Sequence, residues 1–302
     1  MKRKIIQLAG KTFVLSLPIK WAKKYGIEKG DEIDVIEDGQ RLIISTAKLL
    51  NEKKKEVDVK VLHEMVNRVM GALYKAGYDE IEIQYKTTHQ FSEIRKCLNR
   101  TCIGMEIVEH GNNRLLIRDI SSPNPEELNN IFRRYFLSLL SVAEDSLEFI
   151  KNKNKEGLKE ILMRDDTINR YADFCRRVIN KMGTDLSKRS PPLYHIAEQL
   201  ERMGDVFNDF VTYILEANSY PDANLQKVHN EFNDNLRQYY MLFYSFDFEK
   251  LEQFCIKSKK IRKDIEKIIQ QANKSQSMHA FYVSKLVNNL WELNGALITA
   301  KL

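Results

Sequence analysis

From Glu126 to the C-terminus only three prolines interrupt the chain, Pro191, Pro192 and Pro221, and the segments between them carry apolar residues at a 3.6-residue period. That pattern admits helices and excludes strands, whose side chains alternate with a period of two. It predicts six helices, over Glu126–Asn152, Asn154–Met182, Pro191–Asn218, Asn224–Ser245, Phe248–Asn273 and Met278–Lys301. Long helices joined by short links pack antiparallel in bundles. Ser121-Ser-Pro-Asn-Pro125 marks the start, with Asn124 as N-cap, Pro125 in the first turn and Glu127 three residues on from the cap.

The stretch before this boundary alternates between element types. Val57–Val61 reads as a strand, and His63–Tyr74 as a helix with Met65, Val66, Val69, Met70 and Leu73 on one side, ended by Gly77. Glu80–Tyr85 alternates as a strand. Thr87 and Gln90 have the spacing of a capping box for a helix carrying Phe91, Ile94 and Leu98. Met105–Val108 and Leu115–Asp119 then pair across Gly111-Asn-Asn as a hairpin. Residues 57–120 thus form a small α+β module, expected to serve as a connector or a second dimer contact.

The N-terminus is set apart by charge. Lys2, Arg3, Lys4, Lys11, Lys20, Lys23 and Lys24 all precede the first acid, Glu28, although the whole chain of 302 residues carries only +6. Basicity so localised is the footprint of a nucleic-acid surface. Phe13–Leu17 alternates as a half-buried strand, Pro18 opens a short helix with Trp21 and Tyr25, and Gly26 suits the left-handed position that closes it. Glu32–Ile36 and Leu42–Ile44 flank the hairpin signal Asp38-Gly39. A charged segment, Lys48–Glu56, follows as a flexible connector.

The run KRKIIQLAGKTFVLSLPIKWAKKYGIEKGDEIDVI resembles the AbrB/SpoVT family of swapped-hairpin DNA-binding domains, with the pattern continuous from Arg3 to about Ile44. The resemblance implies that residues 1–47 form a homodimer, two chains exchanging hairpins to close one small β-barrel that presents basic loops to DNA. A segment this short also buries too little apolar surface to stand alone. The plainer alternative is a basic hairpin with a solvated face.

The second predicted bundle helix has a seam of Ile161, Asp165, Ile168, Ala172, Cys175, Ile179 and Met182, in which Asp165 breaks an apolar line. The third has Ile196, Leu200, Met203, Phe207, Phe210 and Ile214, flanked by a stripe of Glu201, Gly204, Asp205 and Asn208. A mid-helix glycine costs about 1 kcal/mol against alanine, so Gly204 points to a close helix approach or to room for a ligand. Glu-Arg-Met-Gly-Asp in this context resembles the PhoU family of phosphate-uptake regulators. The resemblance implies two three-helix bundles over 124–302, repeated at about 124–218 and 224–302, with acidic pairs one helical turn apart that hold divalent metal. Asp165, Glu201 and Asp205 match that motif, while Asn169 stands where a further carboxylate belongs. They are the candidate ligands for one divalent ion. Against that stands a purely structural role, with Glu201 paired to Arg202 or to surface lysines and Asp165 hydrogen-bonded to a neighbouring helix. In the second repeat Ser258, Lys259 and Arg262 align with Asp165, Asp166 and Asn169, and Trp291 and Gly295 replace Glu201 and Asp205. Cations there argue against a second metal cluster. The neighbouring run Lys257, Lys259, Lys260, Arg262, Lys263 and Lys267 reads as a solvated face.

The predicted architecture is therefore multi-domain α+β: a dimeric swapped-hairpin barrel, an α+β connector and an all-α region of two bundles. The function that follows is a cytoplasmic, homodimeric, DNA-binding transcriptional regulator linked to phosphate uptake, its partners DNA and phosphate-transporter or signalling components. The rival is a transporter adaptor that uses its first domain to dimerise. An antitoxin role is disfavoured by the long helical region. No nucleotide loop, H-E-x-x-H or Glu-x-x-His pair supports an enzyme. Cys97, Cys102, Cys175 and Cys255 lack framework spacing and are expected as reduced thiols; His89, Cys97, Cys102 and His110 do not have zinc-finger spacing. No apolar run approaches the ~18 residues of a membrane span.

Overall fold

The computed structural model describes residues 3–8, 10–38, 41–46, 53–121, 125–182 and 190–302. The chain divides into two compact units at the step from residue 52 to 53.

The first unit has two antiparallel hairpins separated by a short helix. β1 (Ile5–Leu8) pairs with β2 (Thr12–Leu15), and β3 (Ile33–Asp38) pairs with β4 (Arg41–Thr46). Asp38 and Arg41 face each other, and the expected Asp38-Gly39 turn lies outside the described residues. Between the hairpins lies α1 (Ile19–Lys24). Gly26 takes φ +62, the left-handed conformation expected of it, and the Ile27 amide returns to the Ala22 carbonyl. No described side chain of this unit is buried. Ile5 is 67% exposed, Phe13 71%, Ile19 68% and Leu42 63%, so its apolar surface largely faces outward.

The second unit begins with a four-stranded sheet in the order β5-β6-β8-β7, formed by β5 (Lys54–Asp58), β6 (Glu80–Gln84), β7 (Met105–Gly111) and β8 (Arg114–Asp119). β5 and β6 run parallel, and the other pairs are antiparallel. β5 starts at Lys54, earlier than the apolar pattern indicates. As an edge strand it tolerates charge, and Lys54 pairs with Glu80 of β6 at 3.1 Å. Along β6, Ile81 and Ile83 are buried against the core while Glu80 and Glu82 reach Arg118 and Arg114 of β8. The β7–β8 turn holds Asn112 at φ 48 and Asn113 at φ 60, the left-handed geometry of a two-residue hairpin turn.

Two helices complete the module, α2 (Val66–Lys75) and α3 (Thr88–Thr101). α2 starts three residues later than expected. α3 opens with the expected capping box: the Gln90 amide donates to Thr87 Oγ1 at 3.2 Å, and Gln90 Oε1 accepts from the Thr87 amide at 3.1 Å. Met70, Tyr74, Ile94, Leu98, Leu115 and Ile117 belong to the module's own core.

Six helices follow: α4 (Pro125–Lys151), α5 (Lys155–Met182), α6 (Ser190–Ala217), α7 (Ala223–Tyr244), α8 (Phe248–Gln271) and α9 (Ser277–Lys301). Pro125 opens α4 as its position suggests, whereas its expected cap, Asn124, lies outside the described residues. Three later starts are capped by side chains: Asn154, Asp222 and Asp247 accept from the amides of Gly157, Leu225 and Lys250. α4, α5 and α6 form one three-helix bundle and α7, α8 and α9 another; α6–α9 and α4–α7 contacts join them over one continuous core. Gly204 marks a close approach, because a Cβ there would stand 2.8 Å from Ile168 Cγ2 of α5. α2 and α3 pack against α5, so the α+β module and the bundles belong to one unit rather than being joined by a loose linker. Among the described residues no helix is long and apolar enough to cross a membrane.

Candidate functional site

Six of the seven N-terminal cations are described, and all six are exposed; Lys2 lies outside the described residues. Arg3 and Lys4 precede β1, Lys11 sits in the β1–β2 turn, and Lys20, Lys23 and Lys24 ride on α1. None of the six makes an ion pair among the described residues. Lys20 and Lys24 are one helical turn apart and share a face. Trp21 and Tyr25 are in ring contact at 5.6 Å, and Lys24 Nζ lies 5.2 Å from the Tyr25 ring centre. Arg3 also lines a cavity of about 480 Å3 with Ile5, Leu15, Pro18, Trp21 and Ile44. The unit therefore combines uncompensated positive charge with uncovered apolar surface.

The acidic stripe sits between α5 and α6, and two of its three predicted ligands, Glu201 and Asp165, already have partners. Arg176 of α5 bonds Glu201 of α6 at 2.5 Å and Asp173 at 2.8 Å, and Lys75 of α2 adds a contact to Asp173 at 3.3 Å. Burial pushes the Glu201 carboxyl above its ordinary pKa, with Arg176 opposing. Asn169 donates to Asp165 Oδ2 at 2.9 Å, while Asp165 Oδ1 is buried without a hydrogen-bond partner. Burial, then the neighbouring Asp166, raises the Asp165 pKa. Asp205 is pushed up to about 6 by desolvation and by the charges of Glu201, Asp165 and Asp209.

This set does not suit a divalent cation. Such an ion needs several free oxygen donors, whereas Glu201 is taken by a guanidinium and Asp165 Oδ2 by the Asn169 side-chain N–H, which leaves only Asp165 Oδ1 and the Asp205 carboxylate. Among the described residues no group of three or more His, Cys, Asp or Glu side chains could hold a metal. Glu201 does have a structural partner, but it is Arg176 of the neighbouring helix rather than Arg202 or a surface lysine.

The second repeat shows what replaced the acids. Arg262 stacks over Trp291 at 5.2 Å and donates to Asn288 Oδ1 at 3.1 Å, so the residues aligned with Asn169 and Glu201 form a cation–π pair. Ser258 is buried and accepts from Asn235 at 2.7 Å. Within the basic run, Lys257 and Lys260 meet Asp234 and Glu231, Lys267 meets Asp264, and Lys259 and Lys263 are exposed. Lys259, Lys260, Lys263 and Lys267 are exposed, while Lys257 and Arg262 are half-buried.

The feature that periodicity alone missed is the polar side of α5. Arg177 is fully buried; Nη1 donates to the Tyr74 carbonyl at 2.8 Å, and Nη2 bonds Asp119 Oδ2 at 2.7 Å. Asp166 pairs with Arg100 of α3, Asn180 donates to the Lys75 carbonyl at 2.8 Å, and Lys181 pairs with Asp79. Asp166, Asp173, Arg177, Asn180 and Lys181 recur at intervals of seven, four, three and one. They form a stripe on one helical face, and that spacing was the available signal. Cys97 and Cys102 have sulfurs 3.8 Å apart, but His89 stacks on His63 and His110 on Phe91, so the four do not assemble.

Two family models match the chain. Residues 6–56 match antidote-toxin recognition MazE, bacterial antitoxin, and residues 132–214 match the PhoU domain. The chain thus joins a MazE/AbrB-like domain to a PhoU-like helical region, with the α+β module between. The PhoU match ends within α6, before the second repeat in which the acids are lost. The phosphate transport system regulatory protein PhoU from Streptococcus pneumoniae is similar in structure, with TM-score 0.49 and 16% identity over 58% of this chain and 94% of that one. No curated protein matches.

Proposed function

We propose that the protein is a homodimeric DNA-binding regulator of phosphate uptake, with the first unit gripping the duplex and the PhoU-like region relaying phosphate status. The observation that carries this reading is the first unit itself, whose six described cations lack acidic partners and whose described apolar side chains lack a core. Uncompensated cations favour a polyanion. Uncovered Ile5, Phe13, Ile19 and Leu42 favour a second copy of the same hairpins, since burying apolar area is worth about 25 cal/mol per Å2. The PhoU domain match supports the link to phosphate regulation.

In a salt-controlled gel shift, Lys2, Arg3 and Lys4 changed together to alanine should weaken binding to duplex DNA and lower the salt slope by about 3, while the helical circular dichroism stays unchanged. Unchanged binding would refute the assignment of these residues. Failure of the wild-type protein to select any sequence from random DNA, with transporter subunits co-purifying, would replace the regulator by the adaptor.

A further inference from the structure

The α+β module carries a cavity that nothing above uses. It has a volume of about 310 Å3 and follows the groove between α3 and β7, an edge strand of the sheet. That volume lies near the lower end of the ~300–1,000 Å3 usual for ligand pockets. Leu98 of α3 and Met105 of β7, both buried, and the half-buried Ile107 give it an apolar floor.

Strand register decides which side chains reach this groove. Residues paired across a ladder point to the same face of the sheet. Ile107 pairs with Ile117 and His110 with Leu115, and Ile117 and Leu115 lie in the module's core, on the face that α3 covers. Neighbours on one face of a strand stand two residues apart, whereas Ile107 and His110 stand three apart. The irregularity between Ile107 and Glu109 supplies the extra residue and turns His110 towards α3. Glu106 pairs with Arg118 and Glu109 with Leu116 on the opposite face, where Arg118 and Arg114 meet Glu80 and Glu82. β7 therefore sends an imidazole into the groove and turns its carboxylates away.

Phe91 of α3 gathers the polar groups. Its ring stacks on His110 at 4.8 Å with planes 19° apart, and the Arg95 guanidinium lies 5.8 Å from its centre. The Tyr85 hydroxyl is 2.8 Å from His110 Nε2; donating there, it fixes the imidazole and leaves the proton on Nδ1. Arg95 makes no ion pair among the described residues. Two donors thus stand at one ring, beside an apolar floor. A guanidinium fork matches a carboxylate, whereas an ammonium group would meet no anion here. We propose that this cavity binds a small monocarboxylic acid with an apolar body, its carboxylate held by Arg95 and by His110 Nδ1, its body over Leu98, Met105 and Ile107. Arg100 of the same helix pairs with Asp166 of α5, so an occupied groove bears on a helix already tied to the bundle. The site does not depend on the DNA-binding reading.

The test uses full-length protein with butyrate, isovalerate, hexanoate, benzoate and phenylacetate, each at millimolar concentration, in thermal-shift measurement and titration calorimetry. At least one acid should raise Tm and bind. The amide and the amine of the same carbon skeleton, which remove the negative charge or reverse it, should each bind at least tenfold more weakly. Arg95→Ala should weaken the acid at least tenfold. His110→Phe keeps a ring to stack on Phe91 but loses the N–H donor, and should weaken it about tenfold. Arg95 and His110 are exposed, so unchanged circular dichroism of the variants is expected. The proposal is overturned if none of these acids binds, if binding is unchanged in Arg95→Ala or in His110→Phe, or if the amide or the amine binds as well as the acid.

Discussion

Arg177 joins the bundle to the α+β module, and replacing it with methionine keeps most of the side-chain volume while removing the charge. Asp119 would stay behind with its side chain 3% exposed, and the Tyr74 carbonyl would keep only the Gly77 amide as donor. Removing one partner of a buried pair costs about 3–5 kcal/mol, because the other charge is left uncompensated. Lys181 Nζ, 3.4 Å from Asp119 Oδ2, softens the loss, which places Arg177→Met near the lower end, about 3 kcal/mol. The pair can be isolated by a cycle with Asp119→Asn, which keeps an acceptor for the Ser121 amide and hydroxyl. Asp119→Asn should cost less on the Arg177→Met background than on the wild type, with a coupling of about 1–3 kcal/mol. Urea unfolding followed by circular dichroism gives the free energies, and hydrogen exchange should show the loosening in β8 and α2. pH supplies an independent sign. In the wild type, burial pushes the Asp119 carboxyl up, but Arg177 and Ser121 outweigh it and hold it below the ordinary range. The pair's contribution is therefore complete at neutral pH and is lost only as pH falls through that depressed value. In Arg177→Met, burial is left to raise the same carboxyl, so the destabilisation should shrink between pH 7 and pH 4. A cost under about 1 kcal/mol, or strict additivity in the cycle, would refute the view that this ion pair ties the two parts together.

Three further expectations concern the bundles. Asp205 is raised to about 6, so the folded state binds its proton more tightly than the unfolded chain and stability falls as pH rises from about 4 to 6; Asp205→Asn should raise Tm at pH 7 and flatten that slope. Burial lowers the His229 pKa to about 4, so stability should be lost as pH drops from 6.5 towards 4, by up to about 3 kcal/mol. His229→Phe, which can pack against Phe207 and Phe210, should blunt that acid sensitivity in denaturant titrations at pH 7, 5.5 and 4.5. Gly204→Ala should cost about 1–3 kcal/mol by pressing on Ile168, and the cost should vanish on an Ile168→Ala background; a stabilised single variant would contradict the close approach.

The helical region was readable because its information is local. Period, caps and short links fix the helices, and of the two readings that the mid-helix Gly204 left open, close approach or room for a ligand, the contact with Ile168 of α5 fits the first. The acidic stripe was readable as positions but not as chemistry. Whether Glu201 meets a metal or an arginine depends on which α5 residue faces it, and the sequence does not say that this is Arg176. The polar face of α5 stayed hidden for a related reason. A charged residue in an amphipathic helix reads as solvated, and only the module packed against α5 turns Arg177 into a buried contact. Lys54 misled in the same way, since lysines suit an edge strand as well as a linker.

The first unit's lack of a sealed interior has a consequence for regulation. On the homodimer proposed above, a protomer that completes its core only by pairing would gain its fold by mass action, and its apparent stability would rise with its own concentration. Cellular dosage would then set the fraction of chains able to engage a target. Dilution alone would silence the rest, without any effector.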